Sequence, residues 1–138
     1  MLYAAYGSNL RHTRMLERCP GATPAGALLL PGWRLVLRRA ADVEPDSSGL
    51  LPIGLWQVGP EHLERLDRAE GTALRVYDRR RIALPDGSGA WIYVGHGLRQ
   101  DPRRLRADYV EHLRHGYRDF GLSPAPLEAA LAACGFIG

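Results

Sequence analysis

Glycine and proline divide this chain into short segments, and their spacing limits the fold more than any other feature of the sequence. The 138 residues include 16 glycines and 10 prolines. Between them, apolar runs of strand length alternate with a few stretches of helical period. The predicted strands are two runs within 26–38, which Pro31-Gly32 separates as a hairpin, and the segments 1–5, 51–58, 74–84 and 90–96.

The helices are predicted from their end signals and from apolar residues that recur every three or four positions. The stretch 40–50 is polar and is predicted to be a loop that borders or covers a site. The predicted helices cover 10–18, 60–70, 103–120 after Asp101-Pro102, and 124 to about 135.

These elements predict an α+β fold, with a small mixed, mostly antiparallel sheet or β-barrel and flanking helices. The length fits a single domain over residues 1–138. No apolar run approaches the roughly 20 residues that span a bilayer, and the N-terminus lacks a secretory signal pattern. Cys19 and Cys134 match no metal or redox spacing. We therefore expect a cytoplasmic protein with reduced thiols and no membrane partner.

All 18 positively charged residues are arginine, and the net charge is +3. The clusters Arg38-Arg39, 79–81 and 103–104 leave an Arg-rich nucleic-acid-binding module as an alternative. However, 15 acidic residues are interspersed among the arginines, and no helix-turn-helix, zinc-finger or aromatic RNA-binding signature occurs. Nucleic acid is therefore an unlikely partner on the sequence alone.

The first candidate site is the loop Gly7-Ser8-Asn9 between the first predicted strand and helix. Backbone N–H groups at a helix start converge on one point and favour an anion or oxyanion. A simple capped helix start is the commoner explanation of such a loop. Ser8 is not within the G-x-S-x-G pattern of hydrolase nucleophiles.

Glu70 is the second candidate. On a helical wheel its side chain falls between Leu63 and Leu66, whereas Glu61 and Glu64 point away from this apolar face. The last turn of a helix also disfavours a negative charge. Burial and this position should both raise the pKa, as a general acid or base requires. A frayed helix end that lets Glu70 reach solvent is an equal alternative.

Two further features are weaker. Tyr109 lies on the apolar stripe of the 103–120 helix, where a core tyrosine is the commoner case. His112 and His115 have a spacing compatible with a metal, but no further ligand is near in sequence, so a solvated helix face is favoured. Nothing in the sequence calls for a cofactor or a metal.

At these positions the sequence resembles the γ-glutamylcyclotransferase family. The resemblance rests on 3–10 (YAAYGSNL), 54–56 (GLW) and 66–71 (LDRAEG), followed by Tyr77 and Tyr93. It implies the small mixed β-barrel of that family, without a cofactor. It also implies Glu70 as the catalytic acid/base. The substrate-binding residues that it implies are Tyr3, Ala4, Ala5, Tyr6, Gly7, Ser8, Asn9 and, on a softer match, Tyr109.

The implied reaction converts a γ-glutamyl amino acid to 5-oxoproline and the free amino acid, as in glutathione metabolism. The substrate's own α-amine attacks the γ-carbonyl, so a base and an oxyanion site suffice. A γ-glutamylamine cyclotransferase or a lyase that removes a γ-glutamyl group in a biosynthetic pathway remains an alternative within the superfamily. A non-catalytic module is the alternative of another class. The oligomeric state is not predicted.

Overall fold

A computed structural model describes residues 1–98 and 101–137, and in this part of the chain four helices flank a five-stranded sheet. None of these helices is long and apolar enough to cross a membrane. The strands are β1 (Leu2–Ala5), β2 (Thr23–Leu37), β3 (Ala41–Gln57), β4 (Tyr77–Ala83) and β5 (Gly89–Gly95). The helices are α1 (His12–Arg18), α2 (Pro60–Glu70), α3 (Ala107–Asp119) and α4 (Ala125–Ala133), with short 3-10 turns at Ser8–Leu10 and Thr72–Leu74.

The sheet has the order β2-β3-β1-β5-β4, with β1 at its centre. β1 pairs antiparallel with β3 and parallel with β5, and the other neighbouring strands are antiparallel. In the described residues β2 and β4 remain edge strands, so the sheet is not strictly closed. The predicted mixed α+β fold is confirmed.

The predicted hairpin at Pro31-Gly32 is wrong. These residues lie inside β2, where the register with β3 shifts between Pro31 and Trp33 and Gly32 has φ of 89°. A bulge of this kind absorbs an extra residue without reversing the chain. The reversal comes later, where the Arg38 N–H donates to the Ala40 carbonyl at 3.0 Å. The two predicted strands are therefore one.

The segment 40–50 is also not a loop, because β3 begins at Ala41 and runs through it. The Glu44 side chain of this segment pairs across the hairpin. Glu44 lies opposite Arg34 and also accepts a hydrogen bond from Arg38 at 2.7 Å. Only the start of this segment borders the candidate site described below.

The third helix begins later than predicted, at Ala107 rather than near residue 103. Asp101 explains the difference, since its Oδ1 accepts the Arg103 N–H at 3.0 Å. An Asp that bonds to the backbone two residues on favours a turn over a helix. The helices α2 and α4 and the β4–β5 hairpin lie close to their predicted positions.

The helix α3 packs directly on the turn Ser8–Leu10, which follows β1. Gly116 makes this possible, because a Cβ atom there would lie 2.4 Å from the Leu10 Cβ and 2.7 Å from the Arg11 backbone N. On the other side of the turn the fully buried Trp56 of β3 donates from its Nε1 to the Asn9 carbonyl at 3.0 Å. The turn is thus held between α3 and β3.

We expect Gly116→Ala to lower the free energy of unfolding by about 1–3 kcal/mol, because the added methyl group overpacks a contact with backbone. Chemical denaturation of both proteins measures this difference. Arg118→Ala on an exposed position of the same helix is the matched control and should change stability by less than about 0.5 kcal/mol. Equal stability of the two variants would contradict the close contact.

Candidate functional site

Asn9 is a buried polar side chain, 2% exposed, at the centre of the candidate site. Its Nδ2 donates to the Tyr3 hydroxyl at 2.9 Å and to Glu70 Oε1 at 3.1 Å. Its Oδ1 accepts from Arg18 Nη1 at 2.9 Å, and its backbone carbonyl accepts from Trp56 Nε1 at 3.0 Å. Asn9 therefore joins β1, α1, β3 and the end of α2.

Glu70 is the last residue of α2, as predicted, and Gly71 ends the helix with φ of 67°. Its side chain is 17% exposed, against 70% for Glu61 on the same helix. The predicted orientation toward the apolar side is therefore present. The frayed, solvated end that the sequence left open is not observed.

The environment of Glu70 shifts its acidity in two directions. Burial raises the pKa of the carboxyl group above its ordinary value. The Arg18 guanidinium, 3.8 Å away, and the hydrogen bond from Asn9 partly oppose this rise. Both contacts involve Oε1, so Oε2 takes part in neither. A raised carboxyl pKa of this kind is one property that a general acid or base requires.

Ser8 is held by a cation rather than by a base. Its Oγ accepts a hydrogen bond from Arg14 Nε at 3.0 Å. A guanidinium stays protonated and cannot take the proton of a hydroxyl group. The structure therefore gives Ser8 a fixed position without the activation that a nucleophilic serine needs.

His112 and His115 do not converge on one point. The two ring nitrogens of His112 face Arg11 Nη1 at 3.3 Å and Arg14 Nη1 at 3.2 Å. His115 Nε2 lies 3.7 Å from Glu111. In residues 1–98 and 101–137, no group of three His, Cys, Asp or Glu side chains is placed to hold a metal ion.

Tyr109 of α3 reaches the loop after β1. Its hydroxyl accepts the Ala41 N–H at 3.0 Å, and Tyr77 donates to the Ala41 carbonyl at 2.6 Å. A Cβ atom on Gly7 would lie 3.2 Å from the Tyr109 hydroxyl and 3.2 Å from the Ala41 Cβ, so glycine allows this close approach. Burial raises the pKa of Tyr109 to about 12, so the hydroxyl keeps its proton at neutral pH.

Tyr3, Tyr6 and Tyr93 lie next to one another on the same side of the site. Tyr6 donates to the Tyr93 carbonyl at 2.5 Å, and the rings of Tyr3 and Tyr93 meet edge-to-face at 5.8 Å. The Tyr93 hydroxyl donates to Asp67 at 2.7 Å, and Asp67 also pairs with Arg79 at 3.0 Å. The Asp67 carboxylate of α2 is therefore already paired with a cation and a hydroxyl group.

A cavity of about 390 Å³ lies between these groups. It brings together most of the residues that the sequence singled out, although they come from β1, the following turn, α2 and α3. The predicted site residues that line it are Tyr3, Tyr6, Gly7, Ser8, Asn9, Glu70 and Tyr109.

Ala4 and Ala5 are placed differently. Both are buried in β1, opposite Leu55 and Gly54 of β3, and neither lines the cavity. Their predicted contact with a substrate therefore stays a prediction that no cavity contact supports.

Several cavity residues were missed by sequence reasoning. Arg14 and Arg18 follow the loop at helical i, i+4 spacing, which was an available signal. Tyr77 and Tyr93 were part of the family resemblance but were not assigned to the site. The other lining residues mostly belong to features that the sequence analysis noted without assigning them to the site: the arginine clusters, the segment 40–50 and the motif 66–71. These lining residues are Arg39, Ala40, Ala41, Ala69, Gly71, Val76, Arg103, Arg104 and Arg106.

Solved structures share this fold at low sequence identity. A structure described as gamma-glutamyl cyclotransferase matches with a TM-score of 0.74 and 20% identity, over 100% of this chain and 88% of that one. An uncharacterized protein from Homo sapiens matches with a TM-score of 0.75 and 21% identity, over 99% and 87%. An AIG2-like protein from Mus musculus matches with a TM-score of 0.59 and 16% identity, over 79% and 81%.

No curated protein sequence matches the chain significantly. The family model described as "Gamma-glutamyl cyclotransferase, AIG2-like" matches residues 3–112, which include β1, the following turn, α2 and Tyr109. The matched region covers most of the chain. This chain therefore belongs to the gamma-glutamyl cyclotransferase, AIG2-like family.

Proposed function

We propose that this protein is a cyclotransferase that converts a γ-glutamyl amino acid to 5-oxoproline and the free amino acid. The observation that carries the proposal is the position of Glu70. This carboxylate is mostly buried, lines the same cavity as Gly7 and Ser8, and is oriented by the Asn9 amide. Family membership supports cyclotransferase activity in general, and the cavity suggests how this chain would perform it.

Glu70 acts as the acid/base in the proposed reaction. Its Oε2 takes a proton from the substrate's α-ammonium, and the resulting amine attacks the γ-carbonyl carbon. The bond between that carbon and the leaving nitrogen breaks as the leaving nitrogen takes the proton from the Glu70 carboxyl. The attacking nitrogen loses a second proton to solvent as it becomes the lactam nitrogen. The leaving amine takes a second proton from solvent to become an ammonium group. Substrate nitrogen supplies the nucleophile, so no side chain is acylated.

The loop after β1 is proposed to hold the substrate oxygens. Within the turn, Leu10 and Arg11 donate backbone hydrogen bonds to Gly7 and Ser8, at 3.0 and 3.2 Å. The Ser8 amide already interacts with the Tyr109 hydroxyl, so the Gly7 and Asn9 amides are the proposed donors, because the first N–H groups of a helical turn have no partner within it. Such donors stabilise an oxyanion as the carbonyl is attacked. A curled substrate held this way also gains several kcal/mol from orientation alone.

Tyr109 is proposed to contact the substrate through its hydroxyl proton. The Tyr109 oxygen already accepts from Ala41, so its proton remains available to an acceptor in the cavity. The Ala41 backbone and Gly7 fix its position.

Glu70→Gln should lower the rate of 5-oxoproline release from γ-glutamyl-alanine by roughly 10²–10⁴-fold, because glutamine cannot exchange the proton. The variant should retain the fold, since its side-chain oxygen can still accept from Asn9. Chromatographic detection of 5-oxoproline measures the rate. Near-wild-type turnover would remove Glu70 from the mechanism.

The stability of Glu70→Gln should also depend on pH differently from that of the wild type. A raised pKa in the folded state stabilises the wild type at low pH, and this contribution is lost as pH rises through the folded-state value. Gln has no such dependence. Thermal unfolding should therefore show Glu70→Gln gaining stability relative to the wild type as pH increases. A wild type that gains on the variant with rising pH would contradict the raised pKa.

Ser8→Ala should keep 5-oxoproline formation within about tenfold of the wild type, because the hydroxyl positions rather than attacks. Steady-state kinetics on γ-glutamyl-alanine provide the measurement. A loss as large as that of Glu70→Gln, or a trapped acyl-enzyme in mass spectrometry, would instead assign Ser8 as a nucleophile.

Arg18→Gln should move the acid limb of the kcat/KM profile to higher pH. Removing the cation beside Glu70 removes one of the interactions that lower the pKa of this carboxyl, so the basic form appears later as pH rises. Arg65→Gln, on an exposed position of α2, is the control and should leave the limb in place. An unchanged or lower limb in Arg18→Gln would show that Arg18 does not tune the base.

A further inference from the structure

The cavity is strongly asymmetric in charge. Among the described residues that line it, Glu70 is the only carboxylate. The lining cations all belong to arginines, which come from α1, from the end of the β2–β3 turn and from the segment before α3. These arginines are Arg14, Arg18, Arg39, Arg103, Arg104 and Arg106.

Carboxylates outside the cavity neutralise only part of this charge. Arg39 Nε and Arg103 Nη2 share one oxygen of Asp101, each at 2.7 Å. Arg106 pairs with the exposed Asp108 at 3.1 Å. Three carboxylates, those of Glu70, Asp101 and Asp108, thus pair with arginines among the six that line the cavity. Three positive charges around the cavity therefore lack a matching carboxylate among the described residues.

Arg14 shows this excess most clearly, because it is half-buried. Its partners are the Ser8 hydroxyl and a ring nitrogen of His112. Burial and the neighbouring guanidinium groups lower the pKa of His112, so the imidazole is neutral at pH 7. The hydrogen-bond partners of Arg14 are thus neutral, and although the Glu70 and Glu17 carboxylates attract it from farther away, burial and Arg18 still lower the pKa of Arg14. A partly desolvated cation of this kind costs free energy. An anion in the cavity would offset that cost.

The γ-glutamyl group cannot supply this anion by itself. Its α-ammonium and α-carboxylate carry opposite charges, so the group is neutral overall when it enters the site. Any net negative charge must come from the part of the substrate that leaves. A leaving group with its own ammonium, such as a diamine or the lysine side chain, would instead place another cation among the arginines.

We propose that the leaving group is acidic, namely an amino acid or short peptide with at least two carboxylates, and that the cavity arginines bind it. This inference rests on the proposed cyclotransferase function and narrows its substrate class. The γ-carbonyl lies by Glu70, and the acidic leaving group extends toward the exposed Arg104 and Arg106.

The test compares γ-glutamyl-glutamate with γ-glutamyl-glutamine, which have nearly the same shape and differ by one negative charge. We expect kcat/KM to be about tenfold or more higher for γ-glutamyl-glutamate. The ratio of the two kcat/KM values, glutamate substrate over glutamine substrate, should decrease when NaCl is raised to about 0.5 M. Salt screens exposed charges, and some of the arginines are exposed. γ-Glutamyl-phosphoserine against γ-glutamyl-serine shows whether a phosphate group serves as well as a carboxylate.

Variants test whether the arginines cause this preference. Arg104→Gln changes an exposed side chain and should reduce the ratio about threefold or more. Arg14→Gln should reduce this kcat/KM ratio further. Arg14→Lys keeps the positive charge and should retain most of the wild-type ratio. Arg80→Gln is the matched control, since Arg80 is exposed and does not line the cavity. Its ratio should equal that of the wild type.

The possible outcomes distinguish a failure of the acidic leaving group from a failure of the cyclotransferase function itself. Equal kcat/KM for the glutamate and glutamine substrates, with 5-oxoproline released from both, overturns the acidic leaving group and leaves the cyclotransferase function intact. A preference that persists unchanged in Arg14→Gln and Arg104→Gln also overturns it. Absence of 5-oxoproline from every γ-glutamyl compound in the set overturns the function, and the inference with it.

Discussion

The hydrogen bonds of the buried Asn9 amide are the interactions on which the rest of the site depends. A primary amide offers two N–H donors and one oxygen acceptor in a fixed plane, and here they meet Tyr3, Glu70 and Arg18. These partners belong to β1, α2 and α1, so one side chain sets the relative positions of three elements. An apolar residue there would remove the hydrogen bond that Asn9 donates to the buried Tyr3 hydroxyl and the one it donates to the mostly buried Glu70 carboxylate. The loop after β1 and the proposed base are therefore positioned by the same contact.

That contact also sets the acidity of Glu70 between two extremes. Burial alone would raise the pKa of the carboxyl group further and so favour its protonated form. A carboxylate in a close, bidentate pair with arginine would be too weak a base to take a proton. The Arg18 nitrogen at 3.8 Å is beyond hydrogen-bond distance, and Asn9 contributes a single neutral donor. The arrangement moderates the effect of burial without cancelling it.

The sequence was sufficient where the controlling signals are local. Helical period and a terminal glycine placed Glu70 on the apolar side of α2, and the structure agrees. Prediction from the sequence failed where residues distant in the chain determine the local structure. Pro31-Gly32 has turn chemistry, but pairing with β3 holds it as a bulge inside a long strand. The side chain of Asp101 bonds to Arg39 across the fold and to the following backbone, and this delays the start of α3.

The arginine lining of the cavity was beyond sequence reasoning for the same reason. A net charge of +3 describes the whole chain, and spread over a surface it would suggest weak attraction to any polyanion. The fold instead gathers arginines from three separated segments around one cavity, next to the carboxylate of Glu70. Field lines from clustered cations in a concave, partly desolvated site are focused into it, so an anionic small molecule is drawn in more strongly than the total charge implies. The location of the charge, rather than its amount, is what distinguishes a substrate cavity from a nucleic-acid surface.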